Sequence, residues 1–320
     1  MVGKVPPSVL ESLVFERFSG TDPTVLQGPA YGEDAAAIEF DDSILLVNTD
    51  PISMAIERIG TIGVTIAAND IAASGGTPRW LTQVCLLPED GVDLLETITE
   101  GVATAADAIG VSVVGGHTET HAELDRPLLS MTCLGTTDRV VHTGGLSPGD
   151  RIVLAGYAGT EATAIAASDL TDELGAVDPS LIENGLDCYA ELSVLESAHV
   201  VRNLATAMHD PTEGGVLAGL DELARSSALR IDTERDAIPI RDVTRTICDA
   251  LAVDPLRTFG SGALLVGVSP EATETAIERL EAQNITGTVI GTARSGTPGV
   301  SLDENRLESP IEDDLYQFWT

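Results

Sequence analysis

Hydrophobic positions along this chain switch between two spacings, and the switches mark out an alternation of strands and helices. Apolar runs at 35–40 and 44–49, separated by Asp41-Asp42-Ser43, predict two strands joined by a tight turn. Residues 59–74 are apolar at helical spacing and stop at Gly75-Gly76 and Pro78, which predicts a helix with a defined end. Beyond it, 80–87 predicts a strand, 93–109 a helix, 112–114 a short strand and 128–134 another strand. Glycine and proline then collect in Thr143-Gly144-Gly145-Leu146-Ser147-Pro148-Gly149-Asp150, a composition suited to a domain link. The second half predicts strands at 151–155, 229–232, 263–268 and 287–292. Its predicted helices are 160–168, a long one at 186–207, 214–224 and 271–282. The fold class expected is α+β, built as two α/β domains at 1–145 and 146–320.

Composition sharpens this picture. A chain of 320 residues exceeds the size at which one core stops growing, so two domains are the default. With 43% hydrophobic but only 3% aromatic residues, the core must consist mainly of Ala, Val, Ile and Leu. The net charge of −34 and a single lysine, Lys4, exclude a basic nucleic-acid footprint and argue against adsorption to anionic membranes. Acids dispersed along the whole chain, with so little lysine, point to a halophilic protein, because high salt screens the self-repulsion; plain acidity for solubility is the competing reading. Cys85, Cys133, Cys188 and Cys248 form no Cys-x-x-Cys pair, so buried free thiols are expected. Charges interrupt the first twenty residues and no apolar run reaches membrane-spanning length. A cytoplasmic location is the expectation.

Candidate chemistry starts from Asp70, a lone carboxylate on the small, nearly uncharged helical stretch Ala67-Ala68-Asn69-Asp70-Ile71-Ala72-Ala73. An ionised carboxylate there needs a cation or several donors, and a bound metal is the simplest compensation. Asp34, Asp50, Glu119 and Asp210 recur at other turns. Magnesium takes oxygen ligands from a few carboxylates, water and phosphates, which suits acids delivered by separate turns. Neither Gly-x-x-x-x-Gly-Lys nor a Gly-x-Gly-x-x-Gly after a strand is present, so phosphate binding would have to rely on a metal. Small residues such as Gly32 let backbone approach a triphosphate, and Gly214-Gly215 offers N–H groups at a helix start. The competing readings are a turn cap for each acid taken singly, and a plain N-cap by Thr212. His209 beside Asp210 reads either as a general base or as a hydrogen-bonded structural group. His117, Glu119 and His121 follow Gly115-Gly116 outside any predicted helix, so their spacing is not expected to place them on one face, and zinc is disfavoured.

Taken in order, Gly32-Glu33-Asp34-Ala35-Ala36-Ala37-Ile38, Asn48-Thr49-Asp50, Ala68-Asn69-Asp70-Ile71, Gly115-Gly116-His117-Thr118-Glu119 and Asp210-Pro211-Thr212-Glu213-Gly214-Gly215 resemble the aminoimidazole ribonucleotide synthase (PurM-like) superfamily. The resemblance spans about the whole chain, and the Ala-Asn-Asp block is its most specific motif. Through Asp210 to Gly215 and Gly260-Ser261-Gly262 the chain looks closest to the hydrogenase-maturation carbamoyl dehydratase (HypE-like) branch and its archaeal relatives. The resemblance implies a PurM-like N-terminal sheet domain that dimerises, a PurM-like C-terminal α/β domain, a homodimer, and ATP with Mg2+ in the shared cleft. It implies metal ligation by Asp34, Asp50 and Asp70, and catalytic roles at Asp210, His209, Glu119 and His117. Nucleotide contacts are expected from Gly32, Thr49, Asn69, Gly115, Gly116, Gly214 and Gly215. The chemistry implied is transfer of the ATP γ-phosphate to an amide-like oxygen or a phosphate on an unassigned small-molecule or protein acceptor. Thiamine-monophosphate kinase, AIR synthase and a non-catalytic ATP-binding partner protein are the alternatives. The last cysteine is Cys248 and the sequence ends Leu315-Tyr316-Gln317-Phe318-Trp319-Thr320, so modification of a C-terminal cysteine is not expected. His117 stands where thiamine-monophosphate kinase carries an acid, and the N-terminus lacks the Cys and Lys arrangement of selenophosphate synthetase.

Overall fold

The computed structural model describes residues 4–18 and 22–319. The first half carries helices α1 (Pro7–Leu10), α2 (Glu16–Phe18), α3 (Ile59–Ala73) and α4 (Leu94–Ile109). Its strands are β1 (Val25–Gln27), β2 (Ala36–Phe40), β3 (Ser43–Ile52), β4 (Thr77–Pro88), β5 (Ser112–His121) and β6 (Leu128–Thr137), in the order β1-β2-β3-β6-β4-β5. Among the described residues of this sheet, β4 and β5 run parallel and the other neighbours antiparallel. Strict alternation of buried and half-buried residues in β6 sends Leu129, Met131 and Cys133 into the apolar core of this half, to which α3 contributes Ile62 and Ile71. The opposite sheet face stays open. Helix α3 is buried almost all round, as its small residues allow; a Cβ on Gly60 would meet the Ile98 carbonyl of α4 at 2.3 Å.

The second half holds α5 (Thr160–Asp169), α6 (Pro179–Asp187), α7 (Leu195–Val201), α8 (Gly215–Ser226), α9 (Asp242–Leu251) and α10 (Thr273–Glu281). Its strands β7 (Arg151–Ala155), β8 (Ala205–His209), β9 (Arg230–Thr233), β10 (Leu264–Val268), β11 (Gly287–Arg294), β12 (Gly299–Leu302) and β13 (Asn305–Arg306) form a second mixed sheet, β13-β12-β9-β11-β7-β10-β8. The architecture is therefore α+β with two mixed sheets. One apolar cluster runs from Leu46, Ile71 and Leu129 into Ile165, Leu174 and Leu192, so the halves share a core and leave a cleft beside it. The connection from β6 to β7 contains the 145/146 division, which we keep as a proposed boundary.

Two expectations are corrected. Residues 186–207 are not one helix but the end of α6, a 3-10 turn at Cys188–Glu191, α7 and β8. The cause is tertiary: Asn69 on α3 donates to the Leu192 carbonyl at 2.8 Å and accepts from Val194 N at 2.9 Å, capturing backbone groups that helix continuation would use. Strand β5 runs to His121, far past Val114, because Gly115 and Gly116 lie against β4; a Cβ on Gly116 would sit 2.3 Å from the Gln83 carbonyl. The four cysteines are free and buried. Among the described residues no helix is long and apolar enough to cross a membrane.

Candidate active site

Four carboxylates from separate stretches meet in one cavity of about 340 Å³ between the sheets: Asp34 before β2, Asp50 on β3, Asp70 on α3 and Asp210 after β8. Asn48 and Asp50 share a face of β3 because they are two residues apart. The Asn48 Nδ2 donates to Asp70 at 2.6 Å and to Asp50 at 3.0 Å, so one amide holds two acids together. Asp210 is 2% exposed, and neither of its carboxylate oxygens has a hydrogen-bond partner among the described residues. Burial, followed by the charges of Asp210 and Asp50, pushes Asp70 well above the usual carboxylate range. Burial and then Asp34 do the same to Asp210, against the lowering effect of His209. Such a cluster calls for positive charge. Among the described residues no three Asp, Glu, His or Cys side chains are gathered closely enough to hold an ion unaided. A cation fitting these acids would complete its shell with water or phosphate oxygens, as magnesium does.

Behind the cluster lies a charged chain. His209 Nδ1 is 2.9 Å from Asp34 and its Nε2 is 2.7 Å from Glu222, which pairs in turn with Lys4 at 3.1 Å. Burial alone would lower His209, but Asp34 and then Glu222 raise it well above its ordinary value. Burial works against the Glu222 carboxylate as well, yet Lys4 and His209 bring it down to about 2. Both ring nitrogens of His209 are engaged, which fits the hydrogen-bonded structural reading of this residue. Held between two carboxylates, the ring fixes Asp34 in place.

Other expected contacts divide. Gly32 lines the cavity at φ +76°, where a Cβ would meet Ser226 Oγ at 2.8 Å. Thr49 points to the opposite face of β3 from Asp50, is exposed, and bonds Thr132 Oγ1 at 2.8 Å, so it does not join the acids. Asn69, fully buried, is occupied by the 192–194 backbone and is a structural clamp. The Gly214 N–H donates to Asp313 at 2.8 Å and the Gly215 N–H to the Thr212 carbonyl at 3.0 Å, so this helix start offers an anion neither of those groups. Gly115, Gly116, His117 and Glu119 sit on the exposed edge strand β5, separated from β3 by β4 and β6, and are not brought to the acids within one chain. Contrary to expectation, His117, Glu119 and His121 do share a face, since alternate residues of a strand align. Glu119 lies 2.8 Å from His121 Nε2 and 3.3 Å from His117 Nε2, and these contacts, His121 first, lower its pKa.

Lys4, Asn48 and Glu222 were missed by sequence reasoning. Lys4 had one available signal, being the sole lysine in a chain of net charge −34. Asn48 had another, its two-residue offset from Asp50 on a predicted strand.

Comparison with known proteins agrees with this architecture. Residues 32–137 match the AIR synthase related protein N-terminal domain, and 147–302 match the AIR synthase related protein C-terminal domain. A protein of Methanocaldococcus jannaschii named for hydrogenase expression and formation is 26% identical, covering 98% of this chain and 96% of its own. Carbamoyl dehydratase HypE of Azotobacter vinelandii is 30% identical over 87% of this chain and 82% of its own. The solved structure of AaThiL complexed with AMPPCP and TMP superposes with a TM-score of 0.79 at 21% identity, covering 98% of this chain and 99% of that one, and so shares the fold. With both domain models matched in order and a relative at this identity along most of its length, the chain belongs to the AIR synthase-related family.

Proposed function

We propose that this protein is an ATP- and magnesium-dependent enzyme that transfers the γ-phosphoryl group to an amide-like or phosphate acceptor. The observation that carries the reading is the convergence of Asp34, Asp50, Asp70 and Asp210, with both Asp210 oxygens buried and unpartnered. Asp50, Asp70 and Asp210 would hold Mg2+, with Asp34 fixed beside them by His209. Bound magnesium would supply charge neutralisation between the acids and the triphosphate. On an amide acceptor, a bond forms between the amide oxygen and Pγ while the bond from Pγ to the bridging oxygen breaks. ADP leaves with that electron pair, and an amide N–H proton is lost to solvent. The protein's part is alignment and the exclusion of water.

The family reading is supported by relatives named as carbamoyl dehydratase and by a similar fold solved with AMPPCP. A homodimer through the open face and β5 edge of the N-terminal sheet belongs to the same proposal, since Val84, Val113 and Val114 are exposed there. Calorimetric titration with ATP tests the site. Binding is expected to require Mg2+ and to weaken at least tenfold in Asp210→Asn. Equal binding without magnesium, or by the variant, overturns the assignment.

A further inference from the structure

A cavity of about 240 Å³ opens where the two halves meet past the C-terminal end of α3. Local backbone chemistry brings two arginines to its wall. Strand β6 ends at Thr137, whose Oγ1 lies 3.0 Å from the Gly75 carbonyl and accepts from Arg139 N at 3.2 Å, folding the chain over the end of α3. Val141 N then bonds the Ser74 carbonyl at 3.0 Å. From this position Arg139 crosses to the second half, where its Nη1 donates to the Arg202 carbonyl and its Nη2 to the Ala205 carbonyl, both at 2.9 Å. Arg202, at the C-terminal cap of α7, reaches back and donates to the Gly75 carbonyl at 3.3 Å.

Neither guanidinium is neutralised. Arg225, Arg230, Arg235, Arg241, Arg257 and Arg294 each pair with an Asp or Glu, as a chain of net charge −34 makes easy. Among the described residues Arg139 and Arg202 form no such pair, although Asp138 lies in the same wall. A guanidinium carries several N–H donors in a rigid fork, and the carbonyl bonds spend only part of each fork while fixing its direction. Two like charges facing one small cavity repel, and an anion between them removes that cost. The remaining wall can donate as well. Thr77 on β4 and Thr136 on β6 are cross-strand partners, so their side chains stand together on one sheet face. Neither hydroxyl has a hydrogen bond among the described residues, and nor does the side-chain amide of Asn203, which also lines the cavity. The carbonyl bonds account for the arginines as ties between the halves; they do not account for two uncompensated guanidiniums sharing a hydroxyl-lined cavity in so acidic a chain.

We propose that this cavity binds a tetrahedral oxyanion of the phosphate class, held by the forks of Arg139 and Arg202 with hydroxyl donors from Thr77 and Thr136. Guanidinium forks match pairs of phosphate oxygens, and the volume suits an inorganic phosphate or the head of a small phosphomonoester. Asp138, the one acid among the described lining residues, opposes the anion and tunes its affinity downward. The site calls for no metal and shares no lining residue with the carboxylate cavity, so the inference does not depend on the nucleotide reading. Because its two arginines bond backbone at the ends of α3 and α7, a bound oxyanion ties the halves together and stabilises the folded chain by linkage.

Calorimetric titration of the full chain with inorganic phosphate, in EDTA and at one fixed KCl concentration, tests this. Saturable binding without Mg2+ is expected. Arg139→Gln and Arg202→Gln are each expected to weaken it about tenfold, with Arg202→Lys, which keeps the charge and loses the fork, in between. Thr136→Ala is expected to cost about threefold. Asp138→Asn is expected to tighten binding about threefold, a gain that arginines serving only as backbone ties would not produce. Circular dichroism establishes folding, and Asp138 is exposed, so its variant decides the matter where an arginine variant does not fold. Glycerol phosphate in place of phosphate distinguishes the sources: binding as tight as phosphate assigns the site to monoester heads, and weaker binding assigns it to the free ion. Absence of saturable phosphate binding by the parent overturns the proposal, as does an affinity unchanged in Asp138→Asn or in folded Arg202→Gln. Binding that appears only when Mg2+ is added, or that is lost in Asp210→Asn, places the phosphate in the carboxylate cleft and overturns it too.

Discussion

Replacing Asp313 gives the sharpest test of the electrostatics of the cleft. Its carboxylate, 8% exposed, accepts from Gly214 N at 2.8 Å and from Leu315 N at 2.9 Å, tying the C-terminal segment to the start of α8. Burial pushes its pKa from the ordinary 3.8 up to about 7; the two N–H groups oppose the rise, and Glu161 and Glu213 add to it. Between those two values the folded state keeps the proton and the unfolded chain has lost it. The carboxyl therefore contributes fully to stability below about pH 4, and that contribution is lost as pH rises through about 7. At about 1.36 kcal/mol per unit, a rise of about three units corresponds to about 4 kcal/mol. Asp313→Asn stays neutral at every pH but offers one oxygen where the carboxylate uses two, which costs about 1 kcal/mol. The variant is expected to be about 1 kcal/mol less stable than the parent near pH 4 and about 3 kcal/mol more stable near pH 8. Urea unfolding at pH 4.5, 6 and 8 in one fixed high-salt buffer measures this, because the other carboxylates titrate in both proteins and cancel in the difference. A parent-minus-variant difference that stays flat over this range refutes the reasoning.

Two further outcomes are expected. Asn69→Ala removes both bonds to the 192–194 backbone and leaves a buried carbonyl and N–H unpaired, so urea unfolding should show a loss of about 2–4 kcal/mol; a loss below about 0.5 kcal/mol would mean that the clamp is not structural. With a net charge of −34, thermal stability should rise steeply between 0.1 and 2 M KCl, and an unchanged Tm over that span would remove the case for salt adaptation.

The carboxylate site was largely legible in the sequence because each acid contrasts with its surroundings: Asp70 sits in a run of alanines, Asp50 ends an apolar strand, and Asp210 precedes a Pro-Thr-Glu-Gly-Gly turn. What linked them was not legible. Glu222 is 218 residues from Lys4 and 13 from His209, and no local pattern reports pairs fixed only by packing α8 against β8. The misread 186–207 helix has the same cause, since Leu186, Ala190 and Ala198 satisfy helical spacing while the Asn69 side chain decides the outcome from the other half of the chain. Gly115 and Gly116 misled in the opposite direction. Glycine argues against a strand interior, yet here only glycine fits so close to the Gln83 carbonyl.

The chain of charges behind the cluster bears directly on which cation can serve a nucleotide. A triphosphate in this cavity would bring negative charge to four carboxylates already crowded enough to push Asp70 and Asp210 toward their neutral forms. Among the described residues, Lys4 and His209 are the basic side chains on the cavity wall, and both are engaged. Lys4 is paired with Glu222, and His209 is held by both Glu222 and Asp34. These pairs offset charges the protein itself buries and leave nothing over for phosphates. A divalent ion supplies two positive charges at one point and accepts oxygen ligands from acids and phosphates together. The same arrangement that leaves the Asp210 oxygens without partners among the described residues would make nucleotide binding conditional on a metal, and a monovalent cation at equal ionic strength is not expected to substitute for it.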